Sequence, residues 1–244
     1  FKNPVIKFRN YLIVQVLYET GFRCAELLAL RISDIGTDID NPTLSVVRRH
    51  DSKDDPRLKE PTAKTLGRAV SITKELRDLL NTYIKIHRND TKVAKTHPFI
   101  FVSHKDKEGH YQSGQPLIQQ TINDIFKSIK GVNPERFWAI TPHSYRHYFN
   151  DQLSDQIDEE RRAVRQEVKR LEQAGLHQAA KQYADENKIT KQRELEIRAE
   201  LNGHSSLKSG EIYLKRTARK QAQRVRQRMQ SRMRHKTDGG YHGS

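Results

Sequence analysis

The stretch Leu201 to Tyr213, LNGHSSLKSGEIY, contains a Gly-His-Ser-Ser turn and then a short amphipathic segment that ends in a tyrosine. Tyr213 follows His204 by nine positions. A tyrosine hydroxyl can attack phosphorus when neighbouring groups move its proton and stabilise the developing charge. A lone tyrosine is more often a core or rim residue, so the rest of the chain must supply those neighbouring groups if Tyr213 is a nucleophile.

Composition favours a polyanionic partner. The 244 residues carry a net charge of +15, with a pI of about 9.9 and a mean hydropathy of −0.88, a balance typical of proteins that bind nucleic acid. The single cysteine, Cys24, excludes an intramolecular disulfide and a cysteine-rich zinc site. No apolar run approaches the length needed to span a membrane. The sequence predicts a cytoplasmic protein, since a single cysteine suits a reducing interior.

Apolar residues recur at helical spacing through most of the first 150 positions. Helices are predicted over residues 5–17, 24–32, 76–84 and 121–129, and a further helix is predicted from the cap-and-proline pair Thr141-Pro142. The segments 43–47 and 68–72 have the alternation of strands. The expected fold class is therefore mainly α with a small antiparallel β-sheet (α+β).

Residues 152–200 differ in character, because they are highly charged and contain no proline. Apolar residues at three- and four-residue steps predict a long helix, then a break near Gly175 or at 185–188, and a second helix from Thr190. We expect a helical-hairpin insertion, which could be a solvated element without chemistry or a contact arm for a partner protomer or accessory DNA.

The segment after Tyr213 is strongly basic, KRTARKQAQRVRQRMQSRMRHK. Apolar residues still recur in it at helical spacing, which predicts a basic C-terminal helix over 216–236 with a narrow apolar seam, followed by a flexible tail over 237–244. The basic side chains expected to contact DNA phosphates are Arg216, Arg219, Lys220, Arg224 and Arg226.

Two histidines four residues apart, His143 and His147, have a spacing that can hold zinc. However, Ser144 stands where the glutamate of an HExxH motif would be, and Arg146 between them would repel a cation. We therefore predict neither a metal nor another cofactor. The alternative is phosphoryl transfer without metal, since paired arginines can hold the non-bridging oxygens of a phosphodiester.

Four boxes, taken in chain order, resemble those of the tyrosine recombinases (the phage integrase family). TGFRCAELLAL resembles the first arginine box, AKTLGRAVSI the lysine-bearing hairpin, TPHSYRHYF the His-x-x-Arg box, and LNGHSSLKSGEIY the Gly-His box with its tyrosine. The resemblance covers residues 5–151 and 200–215. It departs from the usual pattern at Tyr145 and Asn202, where leucine or another aliphatic residue is common, and in the long insertion.

The resemblance implies a role for each matching residue. Arg23 and Arg146 would hold the scissile phosphate, and His204 would hydrogen-bond it. Tyr213 would attack, leaving a 3′-phosphotyrosyl bond and a free 5′ hydroxyl. Lys64, chosen over Lys53 and Lys59 because it lies next to the second strand, would protonate the departing 5′ oxygen. The implied catalytic set is completed by a residue that assists proton transfer, His143.

The resemblance also implies a domain organisation and partners. Residues 1–215 would be the catalytic domain with the insertion, and the separate N-terminal DNA-binding domain of such proteins would be absent from this fragment. The partners would be double-stranded DNA and further copies of the chain, as a tetramer in synapsis, acting without ATP. The alternatives are a type IB topoisomerase-like enzyme that relaxes DNA and an inactive DNA-binding or architectural protein. The target site and the direction of the reaction do not follow from the sequence.

Overall fold

The fold is that of a computed structural model, which describes residues 3–49, 53–61, 65–106 and 112–204 together with residues 206, 214, 222 and 226. Clustering of contacts divides the chain into two units. The first comprises Phe1–Gln152 and Ile197–Ser205, and the second comprises Leu153–Glu196 and Ser206–Ser244.

Helix α1, Pro4–Thr20, has a sequence-encoded start and stop. The Asn3 side chain accepts hydrogen bonds from the Val5 and Ile6 amides at 2.8 and 3.3 Å, and proline occupies the first helical position. Gly21 ends the helix with a left-handed φ of 61°. Its backbone also lies close to another element, since a Cβ there would lie 2.7 Å from the Phe149 ring.

Helix α2, Cys24–Ala29, follows at once, and the two-stranded sheet comes next. Strands β1, Thr43–Val46, and β2, Arg68–Ser71, pair antiparallel with Leu44 opposite Val70. Alternation places Arg68 and Val70 on the buried face of β2. The predicted fold class, mainly α with a small antiparallel sheet, is confirmed.

Three further α-helices lie wholly within the first unit: α3, Lys74–Thr82, with a π-helical turn over Tyr83–Arg88; α4, Gln119–Val132; and the short α5, Pro134–Phe137. The run 99–102 is extended and buried, held by isolated bridges to Arg31 and Pro116. The apolar core is built from α1, α2, the sheet, α3 and α4. Its fully buried members include Leu12, Ile13, Val16, Leu17, Phe22, Leu44, Leu80, Tyr83, Ile100 and Ile122.

Helix α6, Pro142–Gln173, begins where the cap-and-proline pair predicts, because the Thr141 hydroxyl accepts the Ser144 amide at 3.1 Å. Two helices follow, α7, His177–Asn187, and α8, Lys191–Asn202. The expectation of a single break is therefore wrong. Gly175 ends the first helix with a φ of 76°, and Thr190 starts the third by accepting the Arg193 amide at 3.1 Å.

Within the second unit, Arg161 of α6 donates to the Ile189 carbonyl and to the Glu194 carboxylate at 2.8 Å. The predicted C-terminal helix and tail lie outside the described residues except for Ala222 and Arg226, both of which are helical, as is Leu214 just before them. In the part of the chain that the structure describes, no helix is both long and apolar enough to cross a membrane.

Candidate active site

Arg23 lies at the N-terminus of α2, and its side chain is 39% exposed. Its backbone amide donates to Glu26 Oε2 at 2.8 Å, and its guanidinium lies 3.6 Å from Glu26 Oε1. Arg23 Nη1 also lies 3.5 Å from the carbonyl oxygen of Asn202, the last residue of α8. Arg23 is therefore held by a local carboxylate and still open to solvent.

Arg146 comes from the second turn of α6, and it is only 1% exposed. Its Nη1 donates to the Gly21 carbonyl at 2.8 Å and its Nη2 to the Asn202 carbonyl at 2.9 Å. The two arginines, 123 positions apart in the sequence, thus meet at the same main-chain oxygen. This convergence brings together the two arginine boxes that were predicted to act as a pair.

His204 lies directly beyond α8, with its Nε2 3.3 Å from Arg146 Nη2. Burial, together with the positive charges of Arg146, Arg23 and Arg68, lowers the pKa of His204 to about 4. The imidazole is therefore neutral at pH 7. A neutral imidazole can still donate one hydrogen bond to an anion, and an arriving phosphate would raise its pKa.

A buried ion pair lies beneath this cluster. Arg68 of β2 donates from Nη1 and Nη2 to the two carboxylate oxygens of Glu26, at 3.1 and 3.0 Å. Thr65 also donates its hydroxyl proton to Glu26. Burial opposes ionisation of Glu26, but the hydrogen bonds and charge of Arg68, with those from Thr65 and the Arg23 amide, keep its pKa below the usual value. The carboxylate is therefore ionised at neutral pH.

The cluster has a net positive charge. Arg23, Arg68 and Arg146 contribute three positive charges and Glu26 contributes one negative charge, with His204 neutral. The excess of two charges favours a mono-anionic phosphodiester. Such a ligand would meet Arg23 first, because Arg146 lies beneath the surface and would have to exchange a carbonyl partner to touch it.

The His143 ring lies 4.3 Å from the His147 ring in an edge-on arrangement on α6, and His143 is exposed to solvent. No group of three or more histidine, cysteine or acidic side chains in the described ranges is arranged to hold a metal ion.

Three of the six predicted catalytic residues, Arg23, Arg146 and His204, are brought together. Lys64 and Tyr213 lie outside the described residues, as do four predicted DNA contacts, Arg216, Arg219, Lys220 and Arg224; the fifth, Arg226, is exposed.

Comparison with known proteins gives the family. The sequence pattern of the Phage integrase family matches residues 2–159, about two thirds of the chain. The chain belongs to the phage integrase family. The match includes the two arginine boxes and the lysine hairpin, and it ends before His204 and Tyr213.

Curated relatives from bacteria agree with this assignment. Transposase A from transposon Tn554 of Staphylococcus aureus is 32% identical over 146 residues, which cover 59% of this chain and 36% of that protein. Tyrosine recombinase XerD of Halalkalibacterium halodurans is 26% identical over 146 residues, covering 59% and 40%. This phage integrase family chain thus spans less than half the length of these relatives.

A solved structure agrees on the fold. The XerH site-specific recombinase, in a post-cleavage complex with a palindromic difH substrate, superposes on 92% of this chain and 47% of its own with a TM-score of 0.56 and 18% identity. At that identity the likeness concerns the fold of the family alone.

Sequence reasoning missed the residues that support the arginines, chiefly Glu26, Arg68 and Asn150, whose side chain donates to the Arg146 carbonyl at 2.9 Å. Two signals could have indicated the first two. Glu26 stands three residues after Arg23, the spacing of a side chain that reaches back to a helix start. Arg68 stands in phase with Val70 on the apolar face of a strand, where a charge needs a buried partner.

Proposed function

We propose that this chain is the catalytic portion of a site-specific DNA recombinase, with Tyr213 as the nucleophile. The observation that carries the proposal is the convergence of Arg23 and Arg146 on the Asn202 carbonyl, with His204 3.3 Å from Arg146. These residues come from three distant segments, and the segment with His204 leads within nine positions to Tyr213.

The cluster would bind the two non-bridging oxygens of one DNA phosphate. Arg23 would contact it from the solvent side, Arg146 would add charge from below, and His204 would donate a hydrogen bond. Because the surroundings are partly desolvated and already oriented, these groups would stabilise the added charge of the five-coordinate transition state more than that of the ground state.

In the proposed reaction the Tyr213 oxygen forms a bond to phosphorus while the bond from phosphorus to the 5′ oxygen breaks. His143, on the first turn of α6, would take the tyrosine proton. Lys64 would give a proton to the 5′ oxygen, which leaves as a hydroxyl. The 3′-phosphotyrosyl product is itself a phosphodiester, so one such bond forms for each one that breaks. Attack on it by another 5′ hydroxyl therefore rejoins the strand without ATP.

The partners follow from the same proposal. The substrate would be double-stranded DNA, contacted also by the basic residues of the 216–236 segment, and synapsis would involve a homotetramer. We propose residues 1–215 as the catalytic domain with the 152–200 insertion inside it. The reaction would take place on DNA in the prokaryotic cytoplasm, as a step in the movement of a mobile element.

The test is covalent capture on nicked DNA sites, from which the cleaved end diffuses away so that the phosphotyrosyl adduct accumulates. Wild-type protein should form an adduct that denaturing electrophoresis resolves. Tyr213→Phe should form none, while Tyr11→Phe, an exposed tyrosine on α1, should retain it. An adduct in the Tyr213→Phe variant would refute the assignment.

Two other outcomes would identify the alternatives. Relaxation of supercoiled DNA without preference for any site and without strand exchange would favour a topoisomerase-like enzyme. Sequence-specific binding without an adduct in any variant would favour an architectural protein. A library of candidate sites in the capture assay would report the preferred sequence at the same time.

A further inference from the structure

We propose that Arg68 is a positioning residue that holds strand β2, and with it Lys64, against both the His204 turn and the Glu26 carboxylate beside Arg23. This inference rests on the proposed function, since it concerns how the proton-donating lysine is aligned with the phosphate-binding arginines. It assigns a role to a side chain outside the six predicted catalytic residues.

Arg68 uses its guanidinium on two sides. Its Nη1 and Nη2 form a two-pronged contact with Glu26, and its Nε donates to the Leu201 carbonyl at 2.9 Å. Its guanidinium also lies over the Phe22 ring, 5.2 Å from the centroid. One planar side chain thus bridges the helix of Arg23 and the end of the helix that leads into His204.

The residues before Arg68 repeat the same two connections. The Leu66 amide donates to the Gly203 carbonyl at 3.1 Å, and the Thr65 hydroxyl donates to Glu26. Lys64 immediately precedes Thr65 in the chain. The two residues that follow Lys64 in the chain are therefore tied to Glu26 and to Gly203.

The contact is close enough to determine the sequence at position 203. Gly203 has a φ of 63°, and a Cβ there would lie 2.5 Å from Arg68 Nη1 and 2.9 Å from the Leu66 carbonyl oxygen. The His204 turn therefore packs directly on Arg68, and a displacement of one would move the other.

Stability alone is a poor explanation for this ion pair. The Arg68 and Glu26 side chains are 2% and 1% exposed, and replacing such a pair with well-packed apolar residues is often neutral or stabilising. A bidentate arginine–carboxylate contact fixes geometry in two directions, which lysine cannot reproduce. Alignment of the lysine segment is a function that requires that geometry.

The test uses the chemistry of the leaving group. When the 5′-bridging oxygen of a nicked site is replaced by sulfur, the thiolate leaves without protonation, so cleavage no longer depends on a well-placed acid. On the oxygen substrate, Arg68→Met should slow adduct formation by about 10- to 100-fold, because it misaligns the acid without removing it and so loses only part of the roughly 10²–10⁴-fold contribution of a general acid. On the sulfur substrate its rate should return to within about threefold of wild type, as that of Lys64→Ala should.

Two sets of controls separate alignment from folding. Arg88→Met removes another buried arginine, one that donates to the Phe99, Ala94 and His97 carbonyls, and any loss of activity in it should be equal on both substrates. Arg68→Lys and Thr65→Val keep part of the network, so they test the proposal if Arg68→Met does not fold. Each should show the same preferential rescue by sulfur, to a smaller degree.

The outcomes are distinct. An equal loss on both substrates, or no loss on either, would overturn the role of Arg68 while leaving the recombinase proposal intact. Failure of the wild type to form a Tyr213 adduct on either substrate would instead refute the proposed function.

Discussion

Asn150 and Asn202 donate to each other across the base of the site. Asn150 Nδ2 lies 3.0 Å from Asn202 Oδ1, and Asn202 Nδ2 lies 2.9 Å from Asn150 Oδ1. Each amide also donates its second proton to a helix carbonyl, of Arg146 and Arg198 respectively. This pair fixes the end of α8, and so the carbonyl shared by the two arginines, relative to the helix that carries Arg146.

Breaking that pair should destabilise the protein. Asn202→Leu, which restores an aliphatic residue common in the family, should lower the free energy of unfolding by about 1–3 kcal/mol because the buried Asn150 amide loses both of its hydrogen bonds to Asn202. Urea denaturation measures the loss. The double variant Asn150→Ala/Asn202→Ala should lose less than the sum of the two single alanine variants; strict additivity would show that the two amides do not depend on each other.

Position 203 requires glycine both because its φ is positive and because there is no room for a side chain. Gly203→Ala should cost about 1–3 kcal/mol, because φ is positive and the new Cβ would contact Arg68. Gly131→Ala on α4, where nothing lies within 4 Å, should be neutral or stabilising. Gly175→Ala, with positive φ but open space, should be intermediate. Thermal unfolding of the three variants should give this order, and any other order would contradict the close packing of Arg68.

The neutral state of His204 should make stability depend on pH. Its pKa falls from the usual 6.5 to about 4 on folding, so between these values the unfolded chain binds the proton and the folded chain does not. Its contribution is therefore fully present above pH 6.5 and is lost as the pH falls toward 4. The pKa of His104 is also lowered to about 4, chiefly by burial, and this histidine adds to the effect.

The measurement is the urea midpoint as a function of pH for wild type and His204→Gln. The variant should have a shallower dependence between pH 6.5 and 4, and the His204→Gln/His104→Gln variant a still shallower one. Identical slopes in wild type and His204→Gln would mean that His204 is already solvated enough to titrate normally.

A second buried ion pair holds the segment before the lysine hairpin. Arg57 donates to the Asp55 carboxylate at 2.7 Å and to the Leu28 and Leu117 carbonyls, and its guanidinium lies 4.2 Å from the Phe99 ring centroid. Arg57→Ala should cost about 3–5 kcal/mol in urea denaturation, since it leaves the Asp55 charge buried without its partner.

The matched control for this prediction is Arg170→Ala. It removes an arginine at 2.6 Å from a carboxylate, that of Glu167, but in an exposed position on α6. Its urea midpoint should equal that of wild type within error. A similar loss in both variants would mean that burial does not determine the importance of the Arg57 pair.

Sequence predicts those parts of the fold whose local structure depends on residues adjacent in the chain. Thr141-Pro142 predicts the start of α6 because a cap and a fixed φ act within one turn, and Gly21 predicts the end of α1 for the same reason. The alternation at 68–72 predicts β2, although not that its first residue turns a guanidinium inward. Local patterns also failed to show that both interruptions in 152–200 end a helix.

The site is a different case, because its geometry comes from contacts between distant segments. Resemblance of the boxes predicts that Arg23, Arg146 and His204 belong together, and the structure brings them together. Nothing in the sequence indicates that Arg146 would be buried with two carbonyl partners, or that Asn202, an apparent departure from the family pattern, pairs with Asn150. These features depend on where α8 ends against α6, which no local pattern encodes.

The acceptor shared by Arg23 and Arg146 belongs to the main chain, and this limits what genetics can reveal about it. No codon change removes the Asn202 carbonyl oxygen. A complete scan of single substitutions would therefore not test the acceptor that the two arginines share. Chemical synthesis can reach it. An ester in place of the amide between Asn202 and Gly203 makes that oxygen a weaker acceptor while keeping every side chain, and it would loosen both arginines with one atom exchanged.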